Sequence, residues 1–374
     1  MSPEHSNQTN NDDFHYDSLE ALLSIISGYQ HPFTDIMIEE NLPVCVLMPS
    51  GWEKLKFLPP KREQIEEFFS SLDVNWHDRI IREGAISRPL VVMDSNNYRW
   101  RLRINGFLVN SGQNLKIVIR RSASDAPRLE DTGLPASVRL ITHATRGLVL
   151  ISGSTGSGKS TSMAALIEEI NRTRKSHIIT IEDPIEYIFK NNLSIFSQRE
   201  VGVDVLSFSI GVKNALRQRP NVIVIGEILD RATAETALIA GESGHLVIGT
   251  IHANNAVSTI QKLMSFFDGN EVESKQRSIQ QSLVAVISQV LIPNSENTGF
   301  ELASEVLMNQ EGQYKKILLD PTALTSALEQ REHKTSQSLG FSLGELIKKG
   351  AIKQADAYKV SGLTTEGFAK IRGG

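Results

Sequence analysis

The most informative segment of this chain is Gly153-Ser154-Thr155-Gly156-Ser157-Gly158-Lys159-Ser160, which fits the phosphate-binding pattern G-x-x-x-x-G-K-[ST]. An apolar run over residues 147–152 predicts a buried strand before it, and residues 161–170 predict a helix after it. This context disfavours the alternative of a flexible Gly/Ser loop. Glycines let backbone N–H groups turn toward phosphate oxygens, and the helix N-terminus adds a positive dipole end. We therefore predict that the loop and Thr161 bind ATP, with Lys159 on the β- and γ-phosphates and Ser160 on Mg²⁺.

The composition is that of a globular protein with two domains. The chain has 374 residues, of which 40% are hydrophobic and 22% charged. A net charge of −4, from 39 basic and 43 acidic residues, gives no general attraction to nucleic acid, so no nucleic-acid partner is expected. The single cysteine, Cys45, excludes a disulfide within the chain and fits a reducing compartment.

The termini and apolar runs predict a cytoplasmic protein. No apolar run is long enough to span a membrane. Residues 1–14 lack the basic start and apolar core of a signal peptide, and we expect them to form a disordered polar tail.

Residues 15–125 predict a first domain of the α+β type. Helical patterns alternate irregularly with strand-like runs that favour antiparallel pairing. In the run Tyr98–Asn105, arginines alternate with large apolar residues, so Arg99, Arg101 and Arg103 share one face. A solvated sheet face is the simpler interpretation. The alternative is a basic face directed at a phosphate, which Arg120 and Arg121 would extend.

A Pro- and Gly-containing segment, residues 126–135, predicts a linker to a second domain over residues 136–374. Short apolar strands alternate there with helical patterns, which is typical of a mostly parallel sheet. The strands are predicted over residues 147–152, 177–181, 222–225 and 246–250. The part from about 270 to 374 is predicted to be helical, with helices over residues 271–291, 323–330 and 343–349 and no further chemistry.

Polar residues follow these strands where each strand ends. Glu182 and Asp183 follow the second strand, Glu227 the third, and His252 comes shortly after the fourth. Functional loops of parallel sheets lie at the carboxyl ends of the strands. A strand-end carboxylate can hold Mg²⁺ through water or polarise an attacking water. Each residue alone has a simpler structural interpretation, but the set favours a nucleotide site with Glu182, Glu227 and His252 as catalytic residues.

Four segments, in this order, resemble the motifs of the secretion ATPases of type II secretion and type IV pili. After the phosphate-binding loop, Ile179–Tyr187 resembles their Asp box, Asn221–Glu227 their atypical Walker B motif and Gly244–Ala253 their His box. Ser197–Gly202 and Asn214–Gln218 add to the resemblance. The clear match covers about residues 99–307, and the pilus-retraction branch is the most similar.

The resemblance implies a homohexamer that joins a PAS-like first domain to a RecA-like P-loop ATPase domain with C-terminal helices, and uses ATP and Mg²⁺. It implies that Glu227 is the catalytic carboxylate and that Glu182 supports Mg²⁺ or water. First-domain arginines are expected to reach a phosphate across domains or subunits. The residues that align with nucleotide contacts are Arg101, Arg103, Arg120, Arg217 and His245.

The implied function is a motor that powers type IV pilus retraction, as in twitching-type motility. Its partner would be a pilus platform protein of the inner membrane, and a type IVb pilus such as the bundle-forming pilus would be its system. One alternative is the ATPase of a type IVB secretion or conjugation system, which shares these motifs. A RecA-like DNA-processing ATPase is disfavoured by the mild acidity and by the lack of a basic, aromatic-rich loop.

The sequence departs from the family pattern at three places. Ile228-Leu229 stands where the family has Met-Arg, so that arginine is absent and Arg231 is a candidate substitute. Asn254-Asn255 replaces small hydroxyl residues, and an arginine is replaced near Val284. These differences affect the expected subunit contacts and coupling more than the expected hydrolysis.

Overall fold

The structure is a computed structural model, and it describes residues 15–28, 33–48, 51–94, 97, 99–122 and 126–361. The chain divides into two compact units, residues 1–124 and 125–374. The tail predicted over residues 1–14 lies outside the described residues. The segment predicted as a linker belongs to the second unit and contains the short 3₁₀ helix Leu129–Thr132.

The first unit is an antiparallel sheet of six strands with three helices packed against it. The strands lie in the order β3-β2-β1-β6-β5-β4. Alternate residues of β5 and β6 are buried, which puts the polar residues of both strands on the opposite face. The elements are α1 (Leu19–Ser27), β1 (Asp35–Glu39), β2 (Cys45–Met48), β3 (Gly51–Lys54), α2 (Arg62–Leu72), α3 (Trp76–Glu83), β4 (Ala85–Met93), β5 (Arg99–Val109) and β6 (Asn114–Ser122).

The second unit is built on a sheet of seven strands in the order β13-β12-β7-β11-β10-β8-β9. All neighbours are parallel except β13, which is antiparallel to β12. The elements, after the 3₁₀ helix Ala136–His143, are β7 (Gly147–Ser152), α4 (Lys159–Thr173), β8 (His177–Glu182), β9 (Ile195–Glu200), α5 (Phe208–Ala215), β10 (Val222–Ile225), α6 (Arg231–Glu242), β11 (Leu246–Ile251), α7 (Ala256–Met264), α8 (Val272–Ser282), β12 (Leu283–Pro293), β13 (Phe300–Met308), α9 (Pro321–Glu329), α10 (Leu339–Lys348) and α11 (Gln354–Ser361).

Helices cover both faces of this sheet, so its central strands are buried on both sides. Every residue of β7, β10 and β11 is buried. Strands in this position read as continuous apolar runs, which explains why the sequence predicts them well. The predicted fold class is therefore confirmed: an α+β domain is followed by an α/β domain that carries the phosphate-binding loop.

The prediction of a helix over residues 271–291 is wrong. Helix α8 ends at Ser282, and the chain continues as β12, which pairs in parallel with β7 and antiparallel with β13. The run Leu283-Val284-Ala285-Val286-Ile287 is buried throughout. A short buried apolar run fits a helix or a strand, and here the sheet edge beside β7 selects the strand. The C-terminal part therefore mixes strands with helices.

None of the helices in the described ranges is long and apolar enough to cross a bilayer.

Candidate nucleotide site

The phosphate-binding loop joins β7 to α4 through glycines in the left-handed region. Gly153 has φ +151° and Gly158 has φ +85°. A Cβ atom at Gly153 would lie 2.4 Å from Ser157 Oγ and 2.5 Å from the carbonyl oxygen of Gln289. The loop is therefore too tightly wound at that position for any side chain. Helix α4 begins at Lys159, so its first N–H groups face the loop and favour an anion.

The Lys159 ammonium lies over this loop. Its Nζ donates to the carbonyl oxygens of Gly153 at 3.0 Å and Ser154 at 2.9 Å. Burial lowers the pKa of Lys159, while the nearby carboxylates of Glu227 and Glu186 favour its charged form. The Lys159 ammonium thus lies between the loop carbonyls and these carboxylates. Binding of the β- and γ-phosphates requires a cation at this loop.

Two buried polar atoms beside the loop have no hydrogen-bond partner among the described residues: Ser157 Oγ and Gln289 Oε1. Buried polar atoms are normally paired, so the unpaired Ser157 hydroxyl fits a loop that is completed by a polar ligand. Ser154, Thr155 and Gly156 form the exposed part of the loop. The residues present therefore fit a bound nucleotide phosphate.

Gln289 supports the loop from β12, a role that the sequence analysis missed. Its Nε2 donates to the carbonyl oxygen of Ser157 at 2.7 Å, and its side chain is 4% exposed. One feature of the sequence could have indicated this role: Ser288 and Gln289 are two polar residues that interrupt the apolar run of β12.

We expect Gln289→Leu to weaken nucleotide binding. Leucine has a similar size but cannot donate to the Ser157 carbonyl, so the loop loses one buried hydrogen bond, and affinity falls about tenfold. Equilibrium titration with a fluorescent ADP analogue measures this. Gln281→Leu, at the exposed end of α8, is the matched control. Unchanged affinity in Gln289→Leu would show that the loop holds its shape without this contact.

Glu182 ends β8, and its carboxyl group is buried. Oε1 accepts from Thr180 Oγ1 at 2.6 Å and from Gln198 Nε2 at 3.4 Å, and Oε2 accepts from the backbone N–H of Glu186 at 3.4 Å. Burial raises the pKa of Glu182, and these donors oppose that rise. The group is held in a fixed position, and Oε2 keeps a lone pair for a further ligand.

The segment after Glu182 contacts the first turn of α4. Thr161 Oγ1 lies 3.0 Å from the Tyr187 hydroxyl. Ser160 and Thr161 are both half-buried there. This contact ties the segment matched to the Asp box to the helix that follows the phosphate-binding loop.

Glu227 and His252 form a pair at the ends of β10 and β11. His252 Nε2 lies 2.7 Å from Glu227 Oε1, an ion pair when the imidazole is protonated. The His252 side chain is 45% exposed and that of Glu227 is 28% exposed, so part of each is open to solvent, while Glu227 Oε1 itself is buried. A carboxylate that contacts an imidazole near Lys159 is suited to orienting a water and accepting its proton.

Strand register explains why these residues meet. Ile251 pairs with Ser152, so the loops that begin at His252 and Gly153 leave neighbouring strands side by side. The backbone N–H of Gly226 donates to the Ile181 carbonyl at 2.7 Å, which puts Glu227 beside Glu182. The carboxyl ends of four strands thus gather the loop, both carboxylates and His252 at one edge of the sheet.

Arg217 and His245 are not brought to this edge within the chain. Arg217 is exposed and precedes β10, and His245 immediately precedes β11, so both lie at the amino ends of these strands. His245 Nδ1 lies 3.2 Å from the Ala240 carbonyl oxygen. Parallel strands present their two ends on opposite edges of the sheet, so neither residue contributes to the cluster around Lys159.

The three candidate arginines belong to the first unit. Arg103 and Arg120 are cross-strand partners on β5 and β6. Both are exposed, and Arg120 Nε donates to Asp35 Oδ1 at 3.0 Å. Arg101 is half-buried two residues before Arg103. The predicted alternation of β5 is thus present, with arginines on the face opposite the core.

Residues at all three departures from the family pattern have structural contacts within the chain. Arg231 pairs with Asp268 at 2.5 Å and Glu271 at 2.7 Å. Asn255 caps α7, and its side chain accepts from the backbone N–H of Ser258 at 2.7 Å. Val284 is buried against Gly147.

The site residues also fit a magnesium ion that accompanies a nucleotide. Within the described part of the chain, no group of three or more His, Cys, Asp or Glu residues could hold a metal by itself. Magnesium bound with a nucleotide takes most of its ligands from phosphates and water, and needs only one or two from the protein. The Ser160 hydroxyl and the Glu182 carboxylate are the groups suited to this role.

The comparisons with known proteins agree with this geometry. The twitching motility protein of Neisseria gonorrhoeae is 37% identical over 253 residues, which are 67% of each chain. The type IV pilus retractation ATPase PilT of Pseudomonas aeruginosa is 36% identical over 258 residues, 69% of this chain and 74% of that one.

Two solved structures match both units. The crystal structure of the pilus retraction motor PilT with bound ADP matches with a TM-score of 0.82 and 32% identity, over 94% of this chain and 99% of that one. The ATPase DotB of Legionella pneumophila matches with a TM-score of 0.73 and 26% identity, over 88% and 91%. The model of the family described as type II/IV secretion system protein matches residues 90–334. The expected resemblance is thereby confirmed, and the chain belongs to the type II/IV secretion system protein family of ATPases.

Proposed function

We propose that this chain is an ATP-hydrolysing motor that powers retraction of a type IV pilus. The observation that carries the proposal is the Glu227–His252 pair at the strand edge that also holds Lys159 and its loop. The similarity to the ADP-bound retraction motor supports it, because that similarity extends over both units of the chain.

Hydrolysis follows from the positions of these groups. The loop binds the phosphates through backbone N–H groups, and Lys159 exchanges its carbonyl contacts for the β- and γ-phosphate oxygens. Glu227 orients a water for attack on the γ-phosphorus and accepts its proton. His252 holds the Glu227 carboxylate in place and contacts the γ-phosphate. Bound through Ser160 and Glu182, Mg²⁺ would neutralise charge on the phosphate oxygens.

The working form is a homohexamer on the cytoplasmic face of the inner membrane. Its partner there is the platform protein of the pilus. The family resemblance supports this arrangement. A type IVb pilus such as the bundle-forming pilus is the proposed system.

The arginines of β5 are proposed to stabilise charge on the reacting phosphate in the assembled motor. We expect Arg101→Ala and Arg103→Ala each to lower turnover at least about tenfold, since arginines that reach a transferring phosphoryl group contribute about 10³–10⁵ in other systems. Steady-state phosphate release measures the effect.

Thermal unfolding of the same variants separates this role from a structural one. Both residues lie on the face of β5 opposite the core, so Tm should change little. Arg82→Ala, an exposed arginine of α3 in the same unit, is the matched control. Parental turnover in both β5 variants would mean that this strand presents only a solvated face.

The alternative is a motor of a type IVB secretion or conjugation system. The match to the ADP-bound retraction motor exceeds the match to DotB in TM-score and identity, which favours retraction. Deletion of the gene in its own cell, scored for pilus number and pilus function, separates the two. Loss of retraction gives many static pili, whereas loss of secretion or conjugation leaves pilus number unchanged and abolishes transfer.

A further inference from the structure

The carboxylate of Glu305 lies close to the nucleotide site and is not used in the proposed chemistry. Glu305 lies on β13 directly opposite Ser288 of β12, and Ser288 in turn pairs with Ser152, the last residue before the phosphate-binding loop. Residues paired across strands project to the same face of a sheet. A polar strip of Ser152, Ser288 and Glu305 therefore crosses three strands at the edge that carries the site.

The first turn of α7 rests on this polar strip. Glu305 Oε1 accepts from the backbone N–H of Ala256 at 2.6 Å. Thr259 Oγ1 donates to Ser152 Oγ at 2.7 Å, and Ser152 Oγ lies 2.6 Å from Ser288 Oγ. The three hydroxyl residues are 0–2% exposed. Helix α7 is thus attached at both ends of the strip, to β13 through Glu305 and to β7 through Thr259.

The same carboxylate also holds a second helix. Burial raises the pKa of Glu305, and the backbone N–H groups of Ala256 and of Leu339, the first residue of α10, oppose that rise. The caps of the two helices leave these donors to Glu305, because Asn255 binds the N–H of Ser258 and Ser338 binds that of Phe341. The first N–H groups of a helix have no partner within it, so one carboxylate completes both helix N-termini.

The position of α7 determines the position of His252. Strand β11 ends at Ile251 and α7 begins at Ala256, so only residues 252–255 connect them. A loop this short leaves His252 little freedom once both of its ends are held. The contact of His252 Nε2 with Glu227 Oε1 at 2.7 Å therefore depends on where α7 begins.

We propose that Glu305 is a positioning residue for hydrolysis: it anchors the first turn of α7, which presents His252 to Glu227, and it links that anchor to the C-terminal helix α10. This inference rests on the proposed role of His252. The site is thereby coupled to the C-terminal helices through one carboxylate with two helix partners.

The test uses the purified full-length chain with Glu305→Gln, which keeps the shape of the side chain. The amide keeps an oxygen that can accept an N–H but loses the negative charge of the carboxylate, so its hydrogen bonds to the helix N-termini weaken. We expect kcat to fall about tenfold, while affinity for an ADP analogue changes less than about twofold. Glu301→Gln is the matched control, because Glu301 lies on the same face of β13 four residues earlier.

A double-mutant cycle with His252→Ala identifies the route of the effect. If Glu305 acts through His252, then Glu305→Gln changes the rate of the His252→Ala protein less than about twofold in single-turnover assays. Parental kcat in Glu305→Gln overturns the inference. So does an equal loss in both backgrounds, or a fall in nucleotide affinity as large as the fall in kcat. Parental kcat in His252→Ala alone would overturn the proposed role of His252 and the inference with it, which distinguishes the two failures.

Discussion

Lys159→Ala reduces ATP hydrolysis to background, a loss of at least about a thousandfold, because it removes the positive charge that meets the β- and γ-phosphates. In the structure this ammonium already lies over the loop carbonyls and near the carboxylates of Glu227 and Glu186. Alanine leaves those carboxylates close to the phosphates without the cation that separates them. Phosphate release by the purified protein measures the loss.

The matched control for this change is Lys175→Ala, two residues beyond the end of α4 and exposed. It should hydrolyse ATP at the parental rate, since it is remote from the loop. Hydrolysis by Lys159→Ala at the parental rate would show that the loop assignment is wrong.

Glu227→Gln separates binding from chemistry. The amide keeps the shape of the side chain but loses its negative charge and basicity, so we expect turnover to fall at least about a hundredfold. Nucleotide affinity should stay within about threefold of the parental value, because the loop and Lys159 are untouched. Equilibrium titration and single-turnover hydrolysis of the same preparation measure the two quantities.

The control variant is Glu242→Gln, which changes an exposed carboxylate at the end of α6. It should leave both quantities unchanged. Equal losses of affinity and turnover in Glu227→Gln would instead make Glu227 a structural or magnesium-binding residue.

The sequence predicted best those parts of the fold that local patterns specify. The strands around the loop are buried on both faces, so each is an apolar run with a clear end, and β7 and β10 have the predicted bounds. Strand β5 was recognised because one of its faces is buried and its residues alternate.

The missed features depend on contacts between distant parts of the chain. The run at Leu283 became a strand because β7 had a free edge beside it, which no local pattern reveals. Gln289 and Glu305 act through hydrogen bonds to residues 132 and 49 positions away in the sequence. Spacing along the chain cannot predict such contacts.

The direction of the strands explains why two of the predicted site residues lie away from the cluster around Lys159 within the chain. His245 and Arg217 were grouped with the nucleotide site because they lie in segments that resemble family motifs. Each precedes its strand, however, whereas the site is formed where the strands end. Any contact of these two residues with a nucleotide stays a prediction for the assembled motor.

We propose that hydrolysis at Glu227 drives pilus retraction. The most direct measurement replaces the gene in its own cell with the Glu227→Gln allele and counts surface pili by electron microscopy. We expect more pili than in the parent, all of them static, with the variant protein at its normal level. A parental number of retracting pili, or a loss of pili, would contradict it.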